Sequence, residues 1–200
     1  MREQTLDRPT VEREAKWFVV VNPASGSGKG LDDFPLISKL LRDNGIRCES
    51  VFTEHKCHAT ELTVSAINSG YRHIIVVGGD GTLHEVVNGL FIQQEVTPSE
   101  VLLAIIPVGT GNDFVRCFGG SQGFMDIAAQ LDASPMEIDV IKCNDDYAVN
   151  MINVGFDCQA AIYASEMKKK AFIPAKLVEG SLVLDPLVNI GIQNIVCHKV

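Results

Sequence analysis

The most informative segment for predicting the fold is residues 74–90, Ile-Ile-Val-Val-Gly-Gly-Asp-Gly-Thr-Leu-His-Glu-Val-Val-Asn-Gly-Leu. Its first four residues, Ile74–Val77, are apolar and β-branched, which is typical of a central parallel strand covered on both faces. Three glycines then surround Asp80 before a helical pattern begins at Thr82. Because a helix N-terminus exposes backbone N–H groups and glycine has no Cβ, this junction predicts a cradle for nucleotide phosphates.

Asp80 is the unexpected residue in this turn. A carboxylate beside phosphates is repelled unless it holds a cation, orients a water or accepts hydrogen bonds from ribose or backbone donors. The alternative is that Asp80 caps the helix that begins beside it.

Two further glycine-rich turns follow strand-like segments. Phe18–Val21 precedes the loop Asn22–Gly30, and Leu102–Ile106 precedes the turn Pro107–Phe114. On parallel strands, three such turns meet at the carboxyl edge of the sheet, where open α/β sheets bind ligands.

Two familiar nucleotide motifs are absent from these turns. A Walker A loop requires glycine five residues before Gly28, where Pro23 stands, and Ser or Thr after Lys29, where Gly30 stands. The first loop also has the spacing Gly26-x-Gly28-x-Gly30 rather than Gly-x-Gly-x-x-Gly, which argues against a nicotinamide oxidoreductase.

The three turns, in this order, closely resemble the signatures of the diacylglycerol kinase catalytic domain. The matching segments are Asn22–Gly30, Gly78–Thr82 and Gly109–Phe114, and Asn153–Asp157 resembles the entry into that family's second domain. The family comprises bacterial lipid kinases, eukaryotic diacylglycerol kinases and sphingosine and ceramide kinases, and is related to NAD kinases. The resemblance extends from Trp17 to about Lys170.

The resemblance implies a kinase that uses ATP and Mg²⁺ to phosphorylate a lipid hydroxyl, with the nucleotide between an α/β domain and a β-rich domain. Asp80 and Asp113 become candidates for positioning magnesium-bound water or polar partners, and no metal ligand is assigned. Cys57 stands in the turn after Thr53 where family members often have glycine. The residues expected to contact the nucleotide are Asn22, Ser25, Gly26, Lys29, Thr53, Gly78, Gly79, Asp80, Gly81, Thr82, Leu83, His84, Thr110 and Asn112.

The resemblance also implies a general base near the end of the second domain, and no segment of this chain matches it. From Ala175 to Val200 the sequence no longer resembles the family. We therefore expect an incomplete second domain, weak or no kinase activity, and unpaired strand edges that favour self-association. The acceptor is expected to be diacylglycerol-like, with undecaprenol and sphingosine-like bases left open.

Two alternative functions remain. An NAD-kinase-like phosphotransferase shares the Gly-Gly-Asp-Gly-Thr turn but does not usually carry the turn Gly109–Phe114. A catalytically silent nucleotide-binding module is favoured by the incomplete second domain.

Composition excludes other classes of partner and site. A formal net charge of -8 argues against nucleic acid, whereas Lys168–Lys170 form either a peripheral membrane contact or a solvated helix end. No apolar run approaches the length of a membrane-spanning helix and Met1–Lys16 lacks a signal-peptide core, so we expect a cytoplasmic chain, peripheral at the inner face of the membrane if it contacts lipid. The six cysteines show no disulfide or zinc spacing, and a metal cluster of His55, Cys57 and His58 is weakly indicated.

The sequence thus predicts a doubly wound, largely parallel α/β domain at residues 17–134, after a disordered tail at 1–16 and before a partial β-rich domain at 135–200. The predicted strands are Trp17–Asn22, Arg47–Thr53, His73–Val77, Val101–Ile106, Met136–Cys143 and Tyr147–Asn153, with the last two in a hairpin. The predicted helices are Leu31–Asn44, Ala59–Asn68, Thr82–Phe91, Asn112–Phe118 and Gln122–Leu131.

Overall fold

The structure, a computed structural model, describes residues 15–118, 124–126, 135–152 and 197–199. Its main sheet contains four parallel strands in the order β2-β1-β3-β4. The strands are β1 (Lys16–Val21), β2 (Arg47–Phe52), β3 (His73–Gly78) and β4 (Leu102–Pro107). The helices are α1 (Lys29–Asp32), α2 (Phe34–Asp43), α3 (His58–Asn68), α4 (Asp80–Ile92) and α5 (Asp113–Cys117), with 3₁₀ turns at Pro98–Glu100 and Phe124–Asp126.

Helices cover both faces of this sheet. Val20 and Val76 lie in a cluster with Val86 of α4, whereas Val21 pairs with Val77 in a second cluster that contains Leu41 of α2. Successive residues of β1 and β3 are buried on opposite faces, which explains their uninterrupted apolar sequences. The predicted doubly wound parallel sheet is confirmed.

The predicted single helix Leu31–Asn44 is wrong, because the structure divides it into α1 and α2. Pro35 lies in the first turn of α2. Proline lacks a backbone N–H and its ring clashes with the carbonyl four residues earlier, so one helix cannot run through this position. The chain therefore restarts at Phe34.

A short antiparallel hairpin lies within the described segment 135–152. Strands β5 (Ile141–Cys143) and β6 (Asp146–Ala148) pair antiparallel, which confirms the predicted hairpin, and β7 (Cys197–Lys199) lies on the other side of β5. The predicted strand Met136–Cys143 is too long, because pairing begins only at Ile141 and residues 136–139 are exposed. The predicted strand Tyr147–Asn153 is also too long, because β6 ends at Ala148, and Asn153 lies outside the described residues. The predicted helix Gln122–Leu131 lies outside the described residues except for the 3₁₀ turn.

The chain divides into two compact units, Met1–Asn150 with His198–Val200, and Met151–Cys197. Among the helices described, none has both the length and the apolar character needed to cross a membrane.

Candidate functional site

The carboxyl ends of the four parallel strands bring the predicted turns to one edge of the sheet. Three hydrogen bonds extend the sheet by one residue at this edge: Thr53 N donates to Val21 O (2.8 Å), Asn22 N to Val77 O (2.9 Å) and Val108 N to Gly78 O (3.0 Å). All four turns therefore begin at the same level.

Asn22 links the first turn to the second. Its Oδ1 accepts a hydrogen bond from Ala24 N (3.0 Å), and its Nδ2 donates to Thr82 Oγ1 (2.9 Å). Thr82 is buried at the start of α4. The amide of Asn22 thus shapes its own turn and fixes the turn that follows β3.

The glycines of the turns allow backbone segments to touch each other. A Cβ on Gly30 would lie 2.0 Å from Asn22 O, and one on Gly26, where φ is +61°, would lie 2.1 Å from Val108 O. A Cβ on Gly109 would lie 2.6 Å from the Cα of Gly79. These glycines are needed for packing between turns, because any side chain would push the turns apart.

Gly81 differs from the other glycines of its turn. It is exposed, and apart from its chain neighbours and the backbone of its own helix no atom lies within 4 Å of the position that a Cβ would occupy. In the first turn of α4 the amides of Thr82 and Leu83 donate to Gly79 O, which leaves the amides of Asp80 and Gly81 as the donors at this end of the helix. The surface at Gly81 is therefore open beside these two amides.

Asp80 caps a helix, although not the helix that it begins. Its Oδ2 accepts a hydrogen bond from Asp113 N (3.1 Å) and its Oδ1 accepts one from Phe114 N (3.0 Å), so the carboxylate lies at the N-terminus of α5. Asp113 is exposed and its Oδ1 lies 3.4 Å from Arg116. A Cβ on Gly111 would lie 3.2 Å from Asp80 Oδ2 and 3.7 Å from Asp113 Oδ2, so both carboxylates flank Gly111.

Asn112 provides an unsatisfied acceptor in the third turn. The residue is buried in the left-handed region with φ at 54°, a conformation that asparagine tolerates better than most residues. Its Nδ2 donates to Gly109 O (2.9 Å), and its buried Oδ1 has no hydrogen-bond partner. Thr110, two residues earlier, is exposed. A ligand hydroxyl, amino group or bound water would satisfy Asn112 Oδ1.

Four other predicted contact residues have different surroundings. Lys29 is exposed at the start of α1, and the backbone oxygen of Ser25 accepts a hydrogen bond from Gly30 N (3.1 Å). The side chain of Leu83 lies in the core, and His84 Nε2 is 3.4 Å from Asp146 Oδ1 on the hairpin. The side chains that follow Thr82 therefore face the core and the hairpin.

Sequence reasoning missed two residues of α4 that organise this region. The carboxylate of Glu85 accepts hydrogen bonds from the turn before α3. The buried Asn88 donates through Nδ2 to Tyr147 O (2.9 Å) and accepts through Oδ1 from Tyr147 N (2.9 Å), so its side chain acts as a peptide group of a neighbouring strand would. A single polar residue within the apolar sequence Val86–Leu90 was the available signal for Asn88.

The weakly indicated metal cluster includes Glu61 rather than Cys57. Within the described residues, His55, His58 and Glu61 offer ligand atoms within 4.8 Å of one another. The two imidazole rings stack at 4.4 Å with an interplanar angle of 15°, and His58 Nδ1 accepts a hydrogen bond from Glu54 N. Because a histidine lone pair lies in the plane of its ring, stacked rings do not direct their nitrogens to a common ion. This arrangement is not preorganised for a metal.

A parallel sheet with interlocked glycine-rich turns at its carboxyl edge, one of them opening a thirteen-residue helix, defines a doubly wound α/β domain. Residues 16–143 match the family model for the diacylglycerol kinase catalytic domain. The chain belongs to this family.

Individual relatives agree with the family assignment. The chain is 33% identical over 130 residues to a probable YegS-like lipid kinase of Pseudomonas putida, covering 65% of this chain and 43% of the relative. It is 32% identical over 165 residues to a diacylglycerol kinase of Staphylococcus epidermidis, covering 78% and 48%. The crystal structure of a diacylglycerol kinase from Bacillus anthracis superposes with a TM-score of 0.56 at 32% identity, covering 67% of this chain and 45% of that one. The chain thus spans less than half the length of each of these three relatives.

Proposed function

We propose that this chain carries the nucleotide-binding part of an ATP-dependent lipid kinase, which transfers the γ-phosphate to a hydroxyl group of a diacylglycerol-like lipid. The observation that carries the proposal is the open first turn of α4 at Gly81, where the amides of Asp80 and Gly81 lie at the helix N-terminus and an added Cβ would have space. Phosphoryl transfer depends on holding donor and acceptor in line and on neutralising charge, and fixed backbone donors supply both effects. The names of the relatives, lipid kinase and diacylglycerol kinase, support the lipid acceptor.

The site fits ATP in its donors and acceptors. The amides of Asp80 and Gly81 would bind phosphate oxygens, with Lys29 and the exposed Thr110 as further candidates at the neighbouring turns. The free Oδ1 of Asn112 would accept from a donor on the nucleotide or from a water on its phosphates. Thr53 would contact the nucleotide from the end of β2.

The site also fits Mg²⁺, which usually takes one or two protein carboxylates and keeps several waters. Asp80 and Asp113 would hold it through the carboxylate oxygens that flank Gly111. When bound, the ion would neutralise negative charge on the phosphates. In the structure, the Asp80 carboxylate fixes the N-terminus of α5, and through it the position of Asp113.

Three further statements stay predictions: a general base in a part of the second domain that no segment of this chain matches, a cytoplasmic location that is peripheral at the inner face of the membrane if the chain contacts lipid, and self-association. The diacylglycerol class of acceptor is likewise part of the proposal.

Calorimetric titration of the chain with ATP, with and without Mg²⁺, tests the proposal. The matched variant is Gly81→Ala, because the new methyl group has space in the free protein and lies where phosphate would approach. We expect it to preserve the free energy of unfolding, or to raise it by up to about 0.5–1 kcal/mol since alanine favours helix, while ATP affinity falls at least tenfold. Absence of ATP binding to the wild-type chain, or equal affinity in the variant, would contradict the proposal.

An ATP-consumption assay with magnesium and mixed diacylglycerols then separates the activities. Turnover with lipid supports the kinase. Binding without turnover fits both a silent nucleotide-binding module and the weak or absent kinase activity expected of this chain, whereas phosphorylation of NAD identifies the NAD-kinase-like alternative.

A further inference from the structure

Glu85 of α4 contacts the turn that connects β2 to α3. Its Oε1 accepts a hydrogen bond from Cys57 N (2.9 Å) and its Oε2 accepts one from Ala59 N (3.2 Å). Thr60 Oγ1 donates to the backbone oxygen of Glu85 (2.8 Å). One residue of α4 therefore binds three groups at the beginning of α3.

Helix α3 depends on this carboxylate because its own sequence provides no cap. The N-cap residue is Cys57, with φ at 65° and no side-chain hydrogen bond to the first turn. The first amides of a helix need acceptors from outside, and a negative charge at this end interacts favourably with the helix dipole. Glu85 supplies both the acceptors and the charge.

The capped turn carries Thr53. On one side, Thr53 N donates to Val21 O, which continues the sheet. Within the turn, Glu54 N donates to His58 Nδ1 (3.0 Å). On the other side only Glu85, among the described contacts, joins the amides of the turn to α4. The turn is thus held to the sheet at Thr53 and to α4 through Glu85.

Helices α3 and α4 approach closely beside this contact, which makes the connection rigid. A Cβ on Gly89 would lie 2.7 Å from Thr63 Cβ and 2.8 Å from Thr60 O. Movement of the turn against α4 is therefore controlled by its hydrogen bonds to Glu85 rather than by sliding of the two helices.

The order of the strands fixes the distance between the end of β2, where Thr53 lies, and the end of β3, where the glycine turn of α4 begins. Strand β2 is separated from β3 by β1, so the end of β2 lies two strand spacings, about 10 Å, from the end of β3. This separation exceeds one phosphate group and suits a nucleoside whose phosphates lie at Gly81. Thr53 is therefore placed to contact the nucleoside part of the ligand and not its terminal phosphates.

We propose that Glu85 is a positioning residue of the nucleotide site, which acts by holding the Thr53 turn where the nucleoside binds. The inference rests on the proposed ATP-binding function. Without the carboxylate, the turn occupies its binding position for a smaller fraction of the time, and the apparent affinity for ATP falls by that fraction. Inorganic tripolyphosphate, which has no nucleoside, contacts only the glycine turns and should bind as before.

The experiment measures the affinities of the full chain for ATP and for inorganic tripolyphosphate in Glu85→Ala and Glu85→Gln. Loss of a helix cap predicts about threefold to thirtyfold weaker ATP binding for Glu85→Ala. We expect an intermediate loss for Glu85→Gln, which keeps one acceptor oxygen, and tripolyphosphate affinities within about twofold of wild type. The control is Glu95→Gln, which removes the same charge from an exposed position after the end of α4 and should leave both affinities unchanged.

A double-mutant cycle with Thr53→Val separates positioning from general destabilisation. If Glu85 acts through Thr53, the double variant binds ATP no more weakly than Thr53→Val alone, because the contact that Glu85 positions is already lost. Urea unfolding, followed through the buried Trp17, shows whether Glu85→Ala is folded, and Glu85→Gln carries the comparison if it is not.

The outcomes separate failure of the proposed function from failure of the role of Glu85. Absence of ATP binding to the wild-type chain overturns the proposed function, and the role of Glu85 with it. Unchanged ATP affinity in both Glu85 variants, equal loss of ATP and tripolyphosphate, or additive effects with Thr53→Val overturn the inference about Glu85 alone. If the wild-type chain binds ATP but not tripolyphosphate, the double-mutant cycle alone tests the role of Glu85: a double variant no weaker than Thr53→Val supports that role, and additive losses overturn it.

Discussion

The two ends of the parallel sheet are held together by different kinds of contact. At the carboxyl end, the turns touch through backbone atoms, and an added Cβ on Gly30 or Gly109 would overlap a neighbouring segment. At the amino end, Lys16 Nζ lies 2.9 Å from Glu49 Oε2, and Tyr71 Oη donates to the same oxygen (2.6 Å). Both charged side chains are more than half exposed.

This difference shows where the fold can hold a ligand in a fixed geometry. Long exposed side chains lose rotamer freedom to make each contact, and water and salt screen their charges. Backbone segments that touch have little conformational freedom left to lose. The carboxyl end is therefore preorganised, whereas the amino end tolerates change.

The largest effect is expected for Gly30→Ala at the carboxyl end. The new Cβ would lie 2.0 Å from Asn22 O, so the first turn must move away from the end of β1. We expect the free energy of unfolding to fall by about 2–3 kcal/mol, with loss of ATP binding. Urea unfolding monitored through Trp17 measures the change. A urea midpoint equal to that of Gly81→Ala, where the methyl group has space, would contradict the distinction between packed and open glycines.

A smaller effect of opposite sign is expected for Cys57→Gly. Cys57 adopts φ of 65°, and a left-handed conformation costs a non-glycine residue about 1–2 kcal/mol. Glycine removes this strain but has more conformational freedom to lose on folding. We therefore expect the free energy of unfolding to rise by about 0.5–1 kcal/mol. The control is Cys57→Ala, which keeps the strain and adds no capping group. Equal thermal midpoints for the glycine and alanine variants would show that the turn is not strained.

The smallest effect is expected at the amino end, for Glu49→Gln. Hydrogen bonds from Lys16 and Tyr71 hold the pKa of Glu49 below its ordinary value. A carboxyl group with a lowered pKa in the folded state stabilises above its unfolded pKa, and this contribution is lost as the pH falls through the folded value. We expect a slightly lower urea midpoint in the variant near neutral pH and a difference that disappears in acid, so that the variant shows a slightly shallower acid destabilisation. A clear loss of stability at neutral pH would mean that the amino end is as constrained as the carboxyl end.

Most of the edge that carries the site could be predicted from the sequence. The apolar segments Phe18–Val21 and Ile74–Val77 are strands, and their following glycine turns meet at one edge because parallel strands end on the same side. The break between α1 and α2 had a visible signal in Pro35, whose missing N–H outweighs the apolar periodicity of the surrounding sequence.

The partners of the polar side chains of α4 could not be predicted. Asp80 binds amides 33 and 34 residues away, and Glu85 binds amides 28 and 26 residues away. Local rules predict caps only between neighbours in sequence, so they assign Asp80 to its own helix and give Glu85 no role. These contacts follow from the order of the strands, which brings α3 and α5 to the two sides of α4.

The position of Asn88 before Gly89 affects how the protein ages in storage. Asparagine followed by glycine deamidates readily in flexible chains, and asparagine is among the thermolabile residues. Here helical backbone and burial keep the Asn88 amide away from the Gly89 nitrogen and from water. Each transient unfolding removes that protection. An aspartate formed at position 88 cannot donate to Tyr147 O. Deamidation would therefore weaken the contact between α4 and the hairpin in a growing fraction of the molecules.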